Sequence, residues 1–227
     1  MEYKGISRDA LFLMADNRFR DSKAYYEEHK EQIKESMTVP MRQLAEIIGS
    51  ELSGIDPLMN TIPTKMVSRV RRDTRFTKDK HLYRENMWIM FMRPKHEWRC
   101  YPCMWFEVTP VNYSLGVGFF GTEPGLMETF RKALRENPKE FLKAAEKCKK
   151  AGARLDEAHY KRPFPDCPDG LEEYYNCKEI YFISFSENLD DLSDGRIVET
   201  MRSTYKAFSP MYKFLLGVSD EYFSKEE

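Results

Sequence analysis

Three strand-like stretches follow one another at 87–93, 104–109 and 113–120, joined by connections of ten and three residues. A parallel crossover needs about a dozen residues or more, so these neighbours are expected to run antiparallel. The third stretch is the clearest. Tyr113, Leu115, Val117 and Phe119 alternate with Ser114, Gly116 and Gly118, the period of a strand with one large-residue face and one small-residue face. A fourth stretch, 65–72, also reads as a strand, with Met66, Ser68 and Val70 on one face and Lys65, Val67, Arg69 and Arg71 on the other. The expected sheet therefore spans 65–120, with a late strand at 181–185.

Helical periodicity brackets this region. Ser7 is placed to cap a short helix carrying Leu11, Phe12 and Met14, and Asp21-Ser22 to cap a longer one. Ile33, Met37, Met41, Leu44, Ile48 and Leu52 recur on one face of that second stretch, and Pro40 is expected to kink or divide it. After the strands, Pro124 opens a helix with Leu126, Phe130 and Leu134 inward, and Asn137-Pro138 ends it and caps another. Ser193 or Asp194 caps a last helix bearing Ile197, Met201, Tyr205 and Phe208. The pattern is α+β: an antiparallel sheet packed against N-terminal and later helices. With no repeat, low-complexity tract or linker in view, residues 1–227 are expected to form a single domain.

Composition narrows the function classes. Hydrophobic residues make up 41%, enough for a sizeable core, and the formal net charge of −1 gives no general argument for a polyanion-binding protein. No run approaches the roughly 18 apolar residues of a membrane span, and the start of the chain lacks an apolar segment behind a basic one. Five cysteines at irregular spacing suggest no disulfide framework. The expected compartment is the cytoplasm.

Charge is nevertheless concentrated in one place. Residues 65–84 hold eight basic side chains against Asp73 and Asp79, a local balance of +6 that leaves −7 for the rest of the chain. Arg69 and Arg71, two positions apart on a strand, would project to one side about 7 Å apart, a spacing that grips one phosphate or carboxylate from two directions. Arg75 and Lys80 extend the cluster, Thr74 supplies a hydroxyl, and Asp73 is close enough to brace a guanidinium. His81 is the histidine placed to act as an acid or base beside a bound anion. Glu107, in an aromatic strand with Trp105 and Thr109, is the candidate for a buried carboxylate with a raised pKa, or for the partner of an arginine. The competing reading of the cluster is an internal salt-bridge network.

Other motifs carry less. Gly116-Val117-Gly118-Phe119-Phe120-Gly121 matches GxGxxG, but two of its glycines fall within a strand, and the following helix leads to a second helix. The glycines are expected instead to admit a neighbouring helix closely. Cys100 and Cys103 form a CxxC whose continuation reads as strand, with no second pair to complete a zinc site. No metal ligand set and no cofactor is expected.

The run Arg69-Val70-Arg71-Arg72-Asp73-Thr74-Arg75-Phe76-Thr77-Lys78-Asp79-Lys80-His81-Leu82-Tyr83 resembles the signature of a family known as domain of unknown function 2461. Two further stretches are similar to it: Asp21 to Lys30, and Pro110 followed by Leu115-Gly116-Val117-Gly118 and Pro124. Tyr25 stands where that family usually has Trp, and Val111-Asn112 where glycines are common. The resemblance covers most of residues 6–217 and implies one α+β domain without implying an activity. Two functional readings stand. The first is an anion-binding domain, enzyme or not, for a small phosphorylated or carboxylated ligand held by Arg69, Arg71, Arg75 and Lys80. The second is a non-enzymatic protein-interaction or nucleic-acid-associated module whose cationic loop docks on an acidic partner. No membrane partner is expected, and the nucleic-acid signal is weak.

Overall fold

The computed structural model describes residues 2–94, 100–120, 122–155 and 158–225. It is an α+β fold with a five-stranded antiparallel sheet. The strands are β1 (Met87–Phe91), β2 (Cys103–Val108), β3 (Tyr113–Gly118), β4 (Arg154–Leu155) and β5 (Tyr181–Ser186), in the order β1-β2-β3-β5-β4. The chain divides into two compact units made of interleaved segments. The first comprises Met1–Phe91, Trp105–Ser114 and Phe185–Arg202, and the second Met92–Met104, Leu115–Ser184 and Ser203–Glu227.

In the first unit, α1 (Arg8–Arg20) starts where Ser7 Oγ accepts from the Ala10 amide at 3.1 Å. The helix ends at Asp21, whose φ of 44° turns the chain left-handed. Ser22 Oγ then accepts from the Tyr25 amide at 3.4 Å and opens α2 (Lys23–Ile33). The long apolar stripe is divided, as Pro40 requires, but the break is a π-helical turn over Lys34–Thr38 preceding α3 (Val39–Leu52). Proline has no amide hydrogen to donate and sits best in a first helical turn, which is where Pro40 lies. From α3, Met41, Leu44, Ala45 and Ile48 enter the core, and the helix packs on β1, whose Met87, Ile89 and Phe91 are fully buried.

The strand expected over 65–72 is not one. Lys65 and Met66 close a short helix, α4 (Pro63–Met66), and the chain beyond meets β1 through one isolated bridge, Val67 to Ile89, and the hydrogen bonds of Ser68 with Trp88. Val67 also turns inward beside Met66, against the simple alternation, while Val70 is buried and Arg69 and Arg71 are exposed. The alternation fails because Pro63 at the first helical position favours a turn of helix over extension.

The second unit holds α5 (Pro124–Glu136), α6 (Pro138–Lys150) and the short α7 (Glu172–Tyr175). Its core is aromatic: Phe141 meets Phe130, Tyr174 and Phe214 edge-on at centroid distances of 5.6, 4.9 and 5.3 Å. Such pairs contribute roughly 0.5–1.5 kcal/mol each beyond the area they bury. Arg131 is buried here as well. It donates to the carbonyls of Tyr175 at 2.9 Å, Cys177 at 3.2 Å and Met127 at 3.2 Å, with its guanidinium 4.0 Å from the Phe164 ring.

Every residue of β3 is buried, its small-residue positions included. At Gly118 the neighbour that comes close is not a helix, as expected, but the backbone entering β5. An added Cβ would lie 2.3 Å from the Ile180 carbonyl oxygen and 2.4 Å from the Tyr181 Cα. Gly121, the last residue of the GxGxxG match, and His96 lie outside the described residues. The last helices are α8 (Asp190–Ser193) and α9 (Arg196–Phe223), with Asp194 Oδ1 accepting from the Arg196 amide at 3.1 Å. Among the described residues no helix is long and apolar enough to cross a membrane.

Candidate functional site

The cationic segment is a ribbon pinned at two points. Val67 bridges Ile89 and Arg71 bridges Tyr83, both antiparallel. Around the second bridge the Arg72 amide donates to the Leu82 carbonyl at 2.8 Å and the Arg84 amide to the Val70 carbonyl at 2.9 Å. Between the bridges, four steps along one arm (Val67 to Arg71) are matched by six along the other (Tyr83 to Ile89). The excess makes a bulge over 84–88, the kind of local irregularity that re-aims side chains.

α1 holds the ribbon from one side. The Asp21 carboxylate Oδ1 accepts from the amides of Leu82 at 2.6 Å and Tyr83 at 3.3 Å, and Arg18 Nη1 donates to the Tyr83 carbonyl at 3.4 Å. The Tyr83 ring, itself buried, stacks on Tyr26 at 4.6 Å. In the sequence Asp21 is marked only as part of a helix cap, and nothing marks Arg18. Both act across about sixty residues, and no local pattern links them to the segment.

The predicted ligand residues fall into two groups. Arg75 is taken by Asp73, with Nε at 3.0 Å from Oδ1 and Nη2 at 2.7 Å from Oδ2, and it lies 5.5 Å from the Phe76 ring. That pair holds the Asp73 carboxyl at about 2. Lys80 Nζ donates to the Thr74 carbonyl at 2.9 Å, so the backbone of Thr74 rather than its hydroxyl is engaged. His81 is drawn to Asp79, its Nδ1 2.5 Å from Oδ1. Asp79 also binds Arg72 and, at 3.0 Å, Arg18, and these two arginines hold its carboxyl below the usual range. Arg69 and Arg71 form the second group. Both are exposed, they flank the buried Val70, and neither joins an ion pair among the described residues.

On the other face of the ribbon lie Arg72 and Arg84. The Arg72 side chain is only 17% exposed. Arg84 is half-buried, with its guanidinium 4.4 Å from the Trp88 ring and a buried Nε that meets no acceptor. Burial, then the neighbouring Arg72, push the Arg84 guanidinium below its ordinary range, and the Glu107 charge opposes the shift. Glu107 itself is half-buried, and the partner it finds is an amide: Asn86 Nδ2 donates to its Oε1 at 2.5 Å. In the sequence Arg84 is one basic residue among the eight of 65–84, and nothing there marks it as a site. Its position diagonal to Arg72 follows only from the ribbon register.

Elsewhere among the described residues, the side-chain amide of the fully buried Asn17 in α1 meets no partner, whereas ionic groups on the second unit's surface are paired. A shallow concavity on the second unit is edged by Lys132, Arg135 and Lys225, which pair with Glu221, Asp166 and Glu221 at 2.7, 2.8 and 3.0 Å. Cys103 opens β2, its thiol directed at the Gly118 carbonyl oxygen 3.6 Å away. Among the described residues no group of three or more His, Cys, Asp or Glu is placed to hold a metal ion.

No curated protein and no solved structure matches this chain. A family model does, over residues 10–214, and the chain belongs to that family, described as Conserved hypothetical protein (DUF2461).

Proposed function

We propose that this chain is an anion-recognition domain that meets a phosphate or carboxylate through Arg69 and Arg71. The observation that carries the reading is their unpaired state. In a segment where Arg72, Arg75 and Lys80 all have internal partners, these two exposed arginines flank Val70 and join no ion pair among the described residues. Two exposed planar forks two residues apart can address one compact oxyanion group from two directions. The internal pairs of the segment hold the backbone on which the two arginines stand. That none of the five cysteines is in a disulfide supports a reducing compartment, the cytoplasm, as its place of action.

A second reading has its own support. Phe76 is 90% exposed beside the same cations, an arrangement that suits an acidic partner protein with apolar side chains better than a small ligand. Titration of the wild type and of Arg71→Lys with inorganic phosphate, citrate and polyglutamate, each at two salt concentrations, separates the readings. A small-ligand site loses affinity several-fold in Arg71→Lys with an unchanged melting temperature, because the charge stays and the fork goes. A docking surface is nearly indifferent to that change and loses polyglutamate as salt rises. A wild type that binds none of the three removes both.

A further inference from the structure

We propose that the inner face of the same ribbon is a second site, separate from the outward pair, at which Arg84 and Arg72 hold one compact oxyanion beside Trp88. The placement follows from register. Arg71 and Tyr83 are directly opposed, so Arg72 and Arg84 lie on the other face as diagonal neighbours, roughly 7–8 Å apart at their origins. Two like charges this close on a half-buried face repel, and Asp79 answers only the first of them.

Arg84 has no such answer. No hydrogen bond to its side chain and no ion pair is formed among the described residues, although Nε is out of solvent. Glu107 is the nearby carboxylate, yet one of its oxygens is taken by Asn86 and it makes no ion pair with Arg84. The stack on Trp88 occupies one face of the guanidinium and fixes its plane. The N–H groups lie in that plane, the geometry in which arginine takes two oxygens of a phosphate or a carboxylate. Arg72, held from behind by Asp79, supplies a second cation whose direction is set. Ser68 holds Trp88 in place, its amide donating to the Trp88 carbonyl at 2.9 Å and its Oγ accepting from the Trp88 amide at 3.0 Å, so the ring beside Arg84 is fixed before any anion arrives. Glu107, fixed beside the site by Asn86, favours an oxyanion that also carries a hydroxyl or protonated oxygen to donate.

The test uses the intact chain. Inorganic phosphate and, in a parallel arm, citrate are titrated while Trp emission and the arginine Nε–H resonances are followed; Trp88→Phe assigns the emission signal. The expected result is a shift of the Arg84 Nε–H resonance and a change in Trp88 emission on adding phosphate. Arg84→Met should weaken binding at least tenfold, while the double variant Arg69→Ala/Arg71→Ala keeps it. A response to citrate but not phosphate assigns the site to carboxylates, within the same proposal. If Arg84→Met does not fold, the wild-type resonance decides alone: an Arg84 Nε–H that stays still at saturating phosphate and citrate overturns the site. Binding that survives in Arg84→Met but is lost in the double variant also overturns it, and leaves the outward Arg69–Arg71 reading standing.

Discussion

Asp73 grips Arg75 through both carboxylate oxygens, two residues away along an exposed loop. The closed pair changes what the cationic segment offers to solvent. Of the arginines expected to converge on an anion, one is taken by its neighbour, and the outward guanidinium charge falls to Arg69 and Arg71, beside the exposed Lys65 and Lys78. The pair is solvated, so its worth lies in fixing the loop direction rather than in stability.

Asp73→Asn therefore frees a third guanidinium. Affinity for phosphate or polyglutamate at low salt should rise a few-fold, with the melting temperature unchanged. The pH dependence has a definite sign. The folded-state carboxyl titrates at about 2, below the ordinary value of 3.8, so whatever the pair contributes is complete above about 4 and is lost as pH falls through 2. Carbon-detected titration of the Asp73 carboxyl tests this, and a midpoint near 4 would mean that Arg75 is free in solution.

Asp21 serves the ribbon by two means, a left-handed backbone and a carboxylate that accepts two amides. Asp21→Gly removes the carboxylate but relieves the left-handed strain, whereas Asp21→Ala removes the carboxylate and keeps a Cβ in the left-handed region, about 1 kcal/mol worse than glycine. The expected order of stability is wild type, then Gly, then Ala. Hydrogen exchange at Leu82 and Tyr83 should quicken in both variants. Equal melting of Gly and Ala would show that the turn relaxes.

The thiols should be slow to react. Burial pushes Cys103 and Cys148 up to about 12, so thiolate is scarce at both near neutrality. Iodoacetamide at pH 8 is expected to label Cys167, the one cysteine that is not buried, before the other four, and all five only after unfolding. Mass spectrometry of timed samples reads the order; early labelling of Cys103 would contradict its burial.

What could be read from the chain was whatever is carried by local period. The alternation of Tyr113 to Gly118, the caps at Ser7 and Ser22 and the proline-started helices at Pro124 and Pro138 all depend on neighbours within a few residues, and all are present. The 65–72 stretch misled because its alternation was real but Pro63 converted its start into a turn of helix. The site was legible in charge and not in pairing. That Asp79, already beside Arg72 and His81, also joins Arg18 depends on α1 meeting a loop 61 residues later. Likewise, that Arg84 faces Arg72 depends on a bridge register no single strand encodes.

Arg131 shows the same limit in the second unit, since no pattern in α5 marks it as buried. Its three carbonyl acceptors lie in three directions around one planar fork. Lysine cannot reach all three, and the carbonyls it abandons are shut away from water. Arg131→Lys should cost about 2–3 kcal/mol, and Arg131→Met about as much. Urea denaturation gives the values, and a loss under 1 kcal/mol would mean that water replaces the guanidinium.

The tightest constraint in the sheet is at Gly118. Its φ of 156° lies at the edge of the region that L-residues avoid, and the larger obstacle is space. A methyl group there would sit 2.3 Å from both the Ile180 carbonyl oxygen and the Tyr181 Cβ, well inside contact distance, and the nearest obstacles include backbone that cannot swing away. That backbone is also a ladder partner, for the Phe119 amide donates to the Ile180 carbonyl at 2.8 Å. Relief would require β5 to withdraw from β3 and give up this bond and its neighbours. Gly118→Ala is therefore expected to cost upwards of about 3 kcal/mol, in the range of severe overpacking. Gly152→Ala is the control, because its φ of 81° strains any side chain while nothing lies within 4 Å of an added Cβ, so it should cost only about 1 kcal/mol. Urea midpoints of the two variants, read beside amide exchange at Phe119, compare crowding with strain directly. Equal losses at the two sites would mean that β5 yields freely and that the β3–β5 approach is loose.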